Sequence, residues 1–424
     1  MTPEDLLRGL FAKAVEAADP MRSLAGFLPE KPKGRVLVVG AGKASARMAE
    51  AVEAVWGPCE GLVITRYGYG RPCVGIEIVE AAHPVPDRAG LAATTRMLGM
   101  LRGLNEGDFV LALISGGASA LLVAPVDGVS LAEKQAVNAG LLASGAPIVQ
   151  MNTVRKHLSR VKGGQLAAAA FPARVLALMI SDVPGDDMAF IGSGPTVGDA
   201  STVADARAVL ERWRVEVPAS VTASVTAALQ RGSSVVPLGD ARLARVENRI
   251  FAAPRQSLEA AAAMARGLGC EVENLGDALE GEARDVAATM AGRALARQAG
   301  RKDMDAPLVL LSGGELTVTR RGDGIGGPNA EFALALALAL NGAPAVWALA
   351  CDTDGVDGAA EVAGAVVGPL TLSKARAKGV DAARALVRND AHRFFASIGD
   401  QVVTGPTLTN VNDFRAVWIG PKLD

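Results

Sequence analysis

The sequence predicts an α/β protein of two domains, the first built around a parallel, three-layer sheet. Three observations carry this expectation. Short apolar runs of strand length alternate with helical stretches, tight glycine-rich turns follow several of those runs, and 424 residues exceed what one hydrophobic core supports. Apolar residues make up 50% and charged residues 21%, a globular balance, while aromatics are only 4%, so the core must be assembled from Ala, Val and Leu.

Taken in order, MTPEDLLRGLFAKAVEA (1–17) places Glu4 and Asp5 ahead of its apolar positions and predicts an N-capped amphipathic helix. KGRVLVVGAGKASARMAEAVEAV (33–55) reads as strand, tight turn and helix. GLVITR (61–66) and VGIEIVEA (74–81) are two further strands; His83-Pro84 opens a loop, and 87–104 is helical. GDFVLALISGGASALLVAP (107–125) repeats the strand, glycine turn and helix. Val149 to Val161 is helix-like and breaks at Gly163-Gly164; ARVLALMIS (173–181) is a near-continuous apolar strand that stops at Asp182; a helix over 201–213 follows the GSGPT loop. Periodicity weakens over 231–248, which sets the expected boundary: residues 1–235 form the first domain and residues 236–424 the second. There the theme restarts with strand NRIFAAP (248–254), helix SLEAAAAMARGLG (257–269), strand CEVENLG (270–276), a helix from about 280 to 300, and the strands PLVLLSGGE (307–315) and LTVTR (316–320). FALALALAL (332–340) alternates with period two. It is assigned to helix because Ala and Leu are good helix formers and Gly-Pro-Asn precedes it. AVWALACDTDGVDG (345–358) and TGPTLTNVNDFRAVWIG (404–420) complete the chain.

Composition excludes several classes. A net charge of −2 and a pI near 6.1, with no Lys/Arg cluster interleaved with aromatics, argue against a nucleic-acid partner. The N-terminus lacks the basic and apolar regions of a signal peptide, and the nine residues of FALALALAL are too few to cross a bilayer. Cys59, Cys73, Cys270 and Cys351 show no CxxC spacing, and His83, His157 and His392 stand singly, so no zinc pattern emerges. The cysteines are expected to be reduced thiols of a cytoplasmic protein.

Residues 152–199 concentrate the chemistry. Arg155, Lys156, His157, Arg160 and Lys162 are followed by Asp182, Asp186 and Asp187 around glycine turns. Ligands of parallel sheets sit outside the carboxyl ends of the strands, so Asp182 falls where a metal or substrate would be met. A solvated basic helix followed by an acidic loop is the plain alternative. GAGKAS (40–45) is a poor dinucleotide fingerprint: Ser45 holds the third glycine position, and Thr65-Arg66 stand where the ribose-binding acid would be. It is not a Walker loop either. What remains is Gly40, Gly42 and Lys43 before a helix, where free N–H groups and the dipole attract anions. SGGASA (115–120) supplies a second such turn in Ser115, Gly116, Gly117 and Ser119, suited to cradling phosphate rather than to a catalytic triad. SGGE supplies a third, with Ser312, Gly313, Gly314 and Glu315 at a strand end. CDTDGVDG (351–358) offers Asp352, Asp354 and Asp357. It lacks the later bidentate glutamate of a calcium loop, and Mg²⁺, which needs one or two carboxylates plus phosphate oxygens, fits better. Anion-binding turns, the basic Lys43, Arg155 and Lys162, and acidic strand ends are the parts that phosphoryl transfer needs.

GAGKAS, ISGGASALL, NTVRKHLSRVKGG, ISDVPGDD, GSGPT, SGGE, GGPNAEFALALAL, DTDGVDG and TGPTLTNVND, in this order over nearly the whole chain, resemble the ATP-dependent glycerate 2-kinases, the MOFRL or tartrate-degradation type. The resemblance implies a Rossmann-like first domain, a smaller leucine-rich α/β second domain, and an active site in the cleft between them. It implies transfer of the ATP γ-phosphate to the 2-hydroxyl of D-glycerate, giving 2-phosphoglycerate. Lys43 matches the family's catalytic lysine, and the 115–119 turn matches a loop lining the cleft. One position departs: many members read GGRNQE, with an arginine assigned to catalysis, where this chain has Pro328 in GGPNAE. Arg320, Arg321 or Arg155 would have to supply that charge, or substrate choice differs.

The working expectation makes Lys43, Arg155 and Asp182 catalytic. Gly40, Gly42, Ser115, Gly116, Gly117, Ser119, Lys162 and residues 312–315 bind nucleotide and phosphate, and Asp182, Asp187, Asp352 and Asp354 hold Mg²⁺. A homodimer is left open. Related sequences labelled hydroxypyruvate reductases supply a rival, an NAD(P)H enzyme with His157 as proton donor. A nucleotide- or anion-sensing protein without turnover is the third reading.

Overall fold

The computed structural model describes residues 1–421 apart from Ser233 and Ala359. It divides into two compact units, one of residues 23–251 and one of residues 1–22 with 252–424.

The unit of residues 23–251 carries a six-stranded sheet of β1 (Val36–Ala41), β2 (Glu60–Arg66), β3 (Ile76–Ala81), β4 (Phe109–Ile114), β5 (Arg174–Ile180) and β6 (Val246–Ala252), in the order β3-β2-β1-β4-β5-β6. The pairings of β1 with β2 and β4, of β2 with β3 and of β4 with β5 are parallel. Strands β1 and β4 are buried at every residue, which explains their unbroken apolar runs: central parallel strands are covered on both faces. On one face Leu37, Val39, Val110, Ala112, Val175 and Ala177 pack with Ala93, Met97 and Leu101 of the helix Arg88–Leu101. From β1 the chain moves outward to β2 and β3, then returns to β4 on the other side. The loops after β1 and β4 therefore part at a topological switch point, where such sheets bind ligands. Four helices, Leu131–Ala143, Ile148–His157, Val203–Arg212 and Ala219–Gln230, share a separate apolar core. Two of them start at capping boxes, with Ser130 bonded reciprocally to Glu133 and Thr202 to Asp205.

The other unit has a mixed sheet. Its strands are β7 (Glu271–Asn274), β9 (Leu308–Ser312), β11 (Val346–Asp352), β12 (Gly364–Val367), β13 (Gln401–Val402) and β14 (Asp413–Ile419), in the order β13-β12-β11-β14-β9-β7. The two-residue β8 (Gly281–Glu282) and β10 (Leu316–Thr317) pair separately. Only β7 and β9 run parallel among the pairs of the larger sheet. Pro328–Leu340 is a helix, as Ala and Leu propensity requires, and Phe332 through Ala337 are all buried, so it is a core helix with no solvent stripe.

Three expectations are corrected. The division at 235/236 moves to 251/252, because the NRIFAAP segment does not begin the second sheet: it adds beside β5 as the edge of the first. The N-terminal helix Pro3–Ala17 belongs to the second unit. Its stripe of Leu6, Leu7, Leu10, Phe11 and Ala14 packs on Leu258, Ala261 and Ala265 of the helix Pro254–Gly267 and on Phe414 and Ala416 of β14. The Phe11 and Phe414 ring centroids lie 5.9 Å apart, and Ser257 Oγ donates to the Ala14 carbonyl at 2.7 Å. Finally, LTVTR forms only the two-residue β10, paired outside the main sheet.

Candidate functional site

At the switch point the turns after β1 and β4 are locked together. Lys43 N donates to the Gly116 carbonyl at 2.8 Å, Ala44 N donates to Ser115 Oγ at 3.0 Å, and Ser45 Oγ donates to the Leu113 carbonyl at 3.0 Å. Gly42 has φ +145°, and a Cβ there would lie 2.0 Å from Ser115 Oγ, so glycine is required by the approach of the two turns. Gly40 has the same cause, facing the Leu113 carbonyl. Buried Ser115 thus frames the site, while half-buried Lys43 stands at the start of the helix Ser45–Trp56. The expected helix after SGGASA is a single turn, Ala118–Leu121, begun by Gly117 at φ +83°. Its anion-binding capacity rests on loop N–H groups rather than on a macrodipole.

The 115–119 turn is backed by the GSGPT loop and by a buried lysine. Ser119 Oγ and Ser193 Oγ are 2.7 Å apart, and Lys162 Nζ donates to the Ser119 carbonyl at 2.8 Å. Lys162 is 1% exposed. Burial pushes its amine well below the ordinary lysine value, and Lys134, Arg155 and Lys156 push it further. Lys134, also buried, donates to the Leu158 carbonyl at 3.1 Å and is brought down to about 7 by burial, with Arg155 adding to the effect. Arg155 reaches Asn152 Oδ1 at 3.5 Å, its Nε is buried without a partner, and burial lowers its value too. Among the described residues, Lys134, Arg155 and Lys162 thus end on carbonyl or amide oxygens. Lys156 differs, pairing with Asp199.

Asp182 is half-buried just past the end of β5, as its place in the sequence implies. Asp187 is exposed and accepts Ala189 N at 2.9 Å. In the other unit Asp352 Oδ1 accepts Asp354 N at 2.9 Å and Asp354 Oδ1 accepts Val356 N at 2.7 Å, each holding its own loop with one oxygen. Ser312 is buried at the end of β9 with its hydroxyl unpartnered, and Glu315 is exposed. Gly313 and Gly314 present their carbonyls to the Arg415 guanidinium at 3.0 and 3.2 Å, and a Cβ on Gly314 would meet Leu279 at 2.3 Å. Among the described residues no group of three or more His, Cys, Asp or Glu side chains is arranged to hold a metal. The aspartates therefore fit only an ion that takes most of its ligands from phosphate and water, as Mg²⁺ does.

A buried polar network in this unit has no counterpart in the sequence reading. The Asp357 carboxylate caps the helix Pro328–Leu340, accepting Asn329 N at 3.0 Å and Ala330 N at 2.8 Å, and His392 Nε2 lies 3.1 Å from it. Asn329 Nδ2 donates to Asp413 Oδ1 at 2.6 Å, and Asp413 pairs with Arg415. Burial pushes Asp413 up to about 6 against the pull of Arg415. Arg284 and Asn389 hold Glu331 at 2.6 and 2.9 Å. The one available signal was Arg415 itself, a cation inside the apolar run FRAVWIG. Near Pro328, Arg320 spends its guanidinium on the Gly322 and Gly324 carbonyls of its own loop, at 3.2 and 3.4 Å.

The strand order and the turns at its switch point define a Rossmann-type α/β protein. The description "Domain of unknown function (DUF4147)" matches residues 6–229, and "MOFRL family" matches residues 308–413. The chain is 40% identical to the D-glycerate 2-kinase of Thermotoga maritima, covering 95% of this chain and 94% of that one. It is 50% identical to a putative hydroxypyruvate reductase of Agrobacterium vitis, covering 99% and 95%. The crystal structure of glycerate kinase from Thermotoga maritima superposes with a TM-score of 0.85 at 38% identity, covering 98% of this chain and all of that one. The chain belongs to the glycerate 2-kinase family of the MOFRL type.

Proposed function

We propose that this protein is an ATP-dependent glycerate 2-kinase, transferring the γ-phosphate to the 2-hydroxyl of D-glycerate. The observation that carries the reading is the meeting of the Lys43 and 115–119 turns at the switch point of the sheet, backed by Lys134, Arg155 and Lys162, whose hydrogen bonds end on carbonyl or amide oxygens, in a chain that shares 40% identity with a D-glycerate 2-kinase over nearly its full length. Lys43 and the N–H groups of the two turns hold oxyanions, and their donors are oriented by the fold before substrate arrives. Lys162 keeps the 115–119 turn in place through the Ser119 carbonyl. Asp182, at a strand end, orients the 2-hydroxyl and takes its proton. A magnesium ion brought in on the nucleotide would neutralise phosphate oxygens, with Asp182 and Asp187 as the carboxylates of this unit to hold it.

The reductase name borne by two relatives favours a second reading, and the turn after β1 speaks against it. No acid closes β2: Thr65 Oγ1 donates to the Gly42 carbonyl at 3.1 Å, and Arg66 lies over the Tyr69 ring. The deciding experiment is a coupled assay with D-glycerate, ATP and Mg²⁺ that separates 2- from 3-phosphoglycerate, run beside NADH and NADPH oxidation with hydroxypyruvate. ATP-dependent 2-phosphoglycerate is expected. Hydride transfer without phosphorylation would replace the kinase by the reductase, and ligand binding without either turnover would leave the sensing protein.

A further inference from the structure

The loop after β3 places a histidine at the turn that Lys43 serves. With φ +83°, Gly117 directs the position of its missing side chain at two neighbours: a methyl there would lie 3.1 Å from His83 Cδ2, 3.2 Å from His83 Nε2 and 3.2 Å from Lys43 Cγ. Strand β3 is the sheet edge, with β2 and β1 between it and β4, so its loop must fold back over their carboxyl ends to reach Gly117. That course is fixed. Tyr67 Oη donates to Asp87 at 2.8 Å, Gln135 Nε2 donates to the Pro86 carbonyl at 2.6 Å, and Asp87 caps the helix Arg88–Leu101 through Gly90 N at 2.9 Å. His83 is half-buried, neither sealed in the core nor loose on the surface.

We propose that His83 contacts the reactant: its imidazole hydrogen-bonds an oxyanion of the molecule held at the Lys43 and 115–119 turns. An imidazole offers a ring N–H in either protonation state, and glycine at 117 lets the imidazole pack against the turn, where a Cβ would crowd it. The oxyanion is either the hydroxy acid's carboxylate or a phosphoryl oxygen of the nucleotide. The inference deepens the kinase reading and rests on it.

The test compares wild type with His83→Ala and His83→Gln in the full chain. Steady-state kinetics vary ATP and D-glycerate in turn, calorimetry measures binding of D-glycerate and of ADP without turnover, and Tm is recorded for each variant. His83→Ala is expected to raise KM and Kd for one reactant at least about tenfold, with the other within twofold and Tm unchanged. His83→Gln, which keeps an N–H donor, recovers part of the loss. The reactant that weakens identifies the oxyanion. Values for both reactants within twofold of wild type in His83→Ala overturn the inference, as does an equal fall of Tm in both variants with affinities unchanged. A wild type that binds these ligands but does not phosphorylate glycerate overturns the kinase reading alone, and His83 is then judged on the binding data. A wild type that binds neither ligand overturns both.

Discussion

In the unit of residues 23–251 the basic side chains of buried Lys134 and Lys162 and half-buried Arg155 end on carbonyl or amide oxygens, whereas in the other unit buried Arg415 meets Asp413 and Asp357 meets His392. Both arrangements bury charge, and burial is unfavourable in each. In the second the charges answer one another, and the network ties a helix start to two loops and a strand. In the first the basic groups end on neutral oxygens, and burial drives the Lys134 and Lys162 amines towards their uncharged forms. The comparison separates charges balanced by a partner from basic groups that burial drives towards neutrality.

The largest effect should come from breaking the compensated network. Arg415→Met leaves the Asp413 carboxylate buried without its cation, and chemical denaturation should show a loss of about 3–5 kcal/mol. Adding Asp413→Asn should recover part of it. Lys43→Ala lies on the other side of the comparison. It should lower the rate of 2-phosphoglycerate formation about a hundredfold, or about 3 kcal/mol, with the thermal midpoint unchanged.

The pH dependence of stability should then run in opposite senses. Lys134 sits near 7 in the folded chain against about 10.4 unfolded, so between those values the unfolded chain binds more protons and stability rises with pH, by up to about 1.4 kcal/mol per unit. Lys134→Met should flatten that rise in denaturation measured from pH 7 to 10. Asp413 sits near 6 when folded against about 3.9 unfolded, so its folded state binds more protons in that window and stability falls as pH rises through it. Asp413→Asn should remove that fall. The smallest effect is Ser119→Ala, which loses the hydroxyl contact with Ser193 while keeping the carbonyl that Lys162 uses. About 1 kcal/mol of stability is expected to go, measured by denaturant midpoint.

The same contrast explains what was legible in the sequence. A parallel sheet writes each strand as one apolar run and gathers its functional turns directly after those runs, so β1, β4, β5, Lys43 and the 115–119 turn could be found from local pattern. A strand such as Val246–Ala252 reads alike whichever sheet it joins, and the apolar stripe of Pro3–Ala17 does not say which surface covers it. The Asp357, His392, Asp413 and Arg415 network joins positions scattered over β14, two loops and a helix, where no spacing rule applies. Asp357 was grouped with acids of a metal-type loop, and the structure gives it to the start of a helix. In the sequence His83 is a lone histidine opening a loop, and nothing local announces that the loop returns to Gly117.

The placement of Pro3–Ala17 has a consequence for how the molecule is made. Its bonding partners come late: Thr409 closes on the Ala18 carbonyl across 391 residues, and Phe414 lies further on still. During synthesis the residues 23–251 can complete their sheet while the first helix waits for Pro254–Gly267 to cover its leucines, and β14 completes the packing last. The helix pair can form early, but the unit it seals becomes whole only with the last strand.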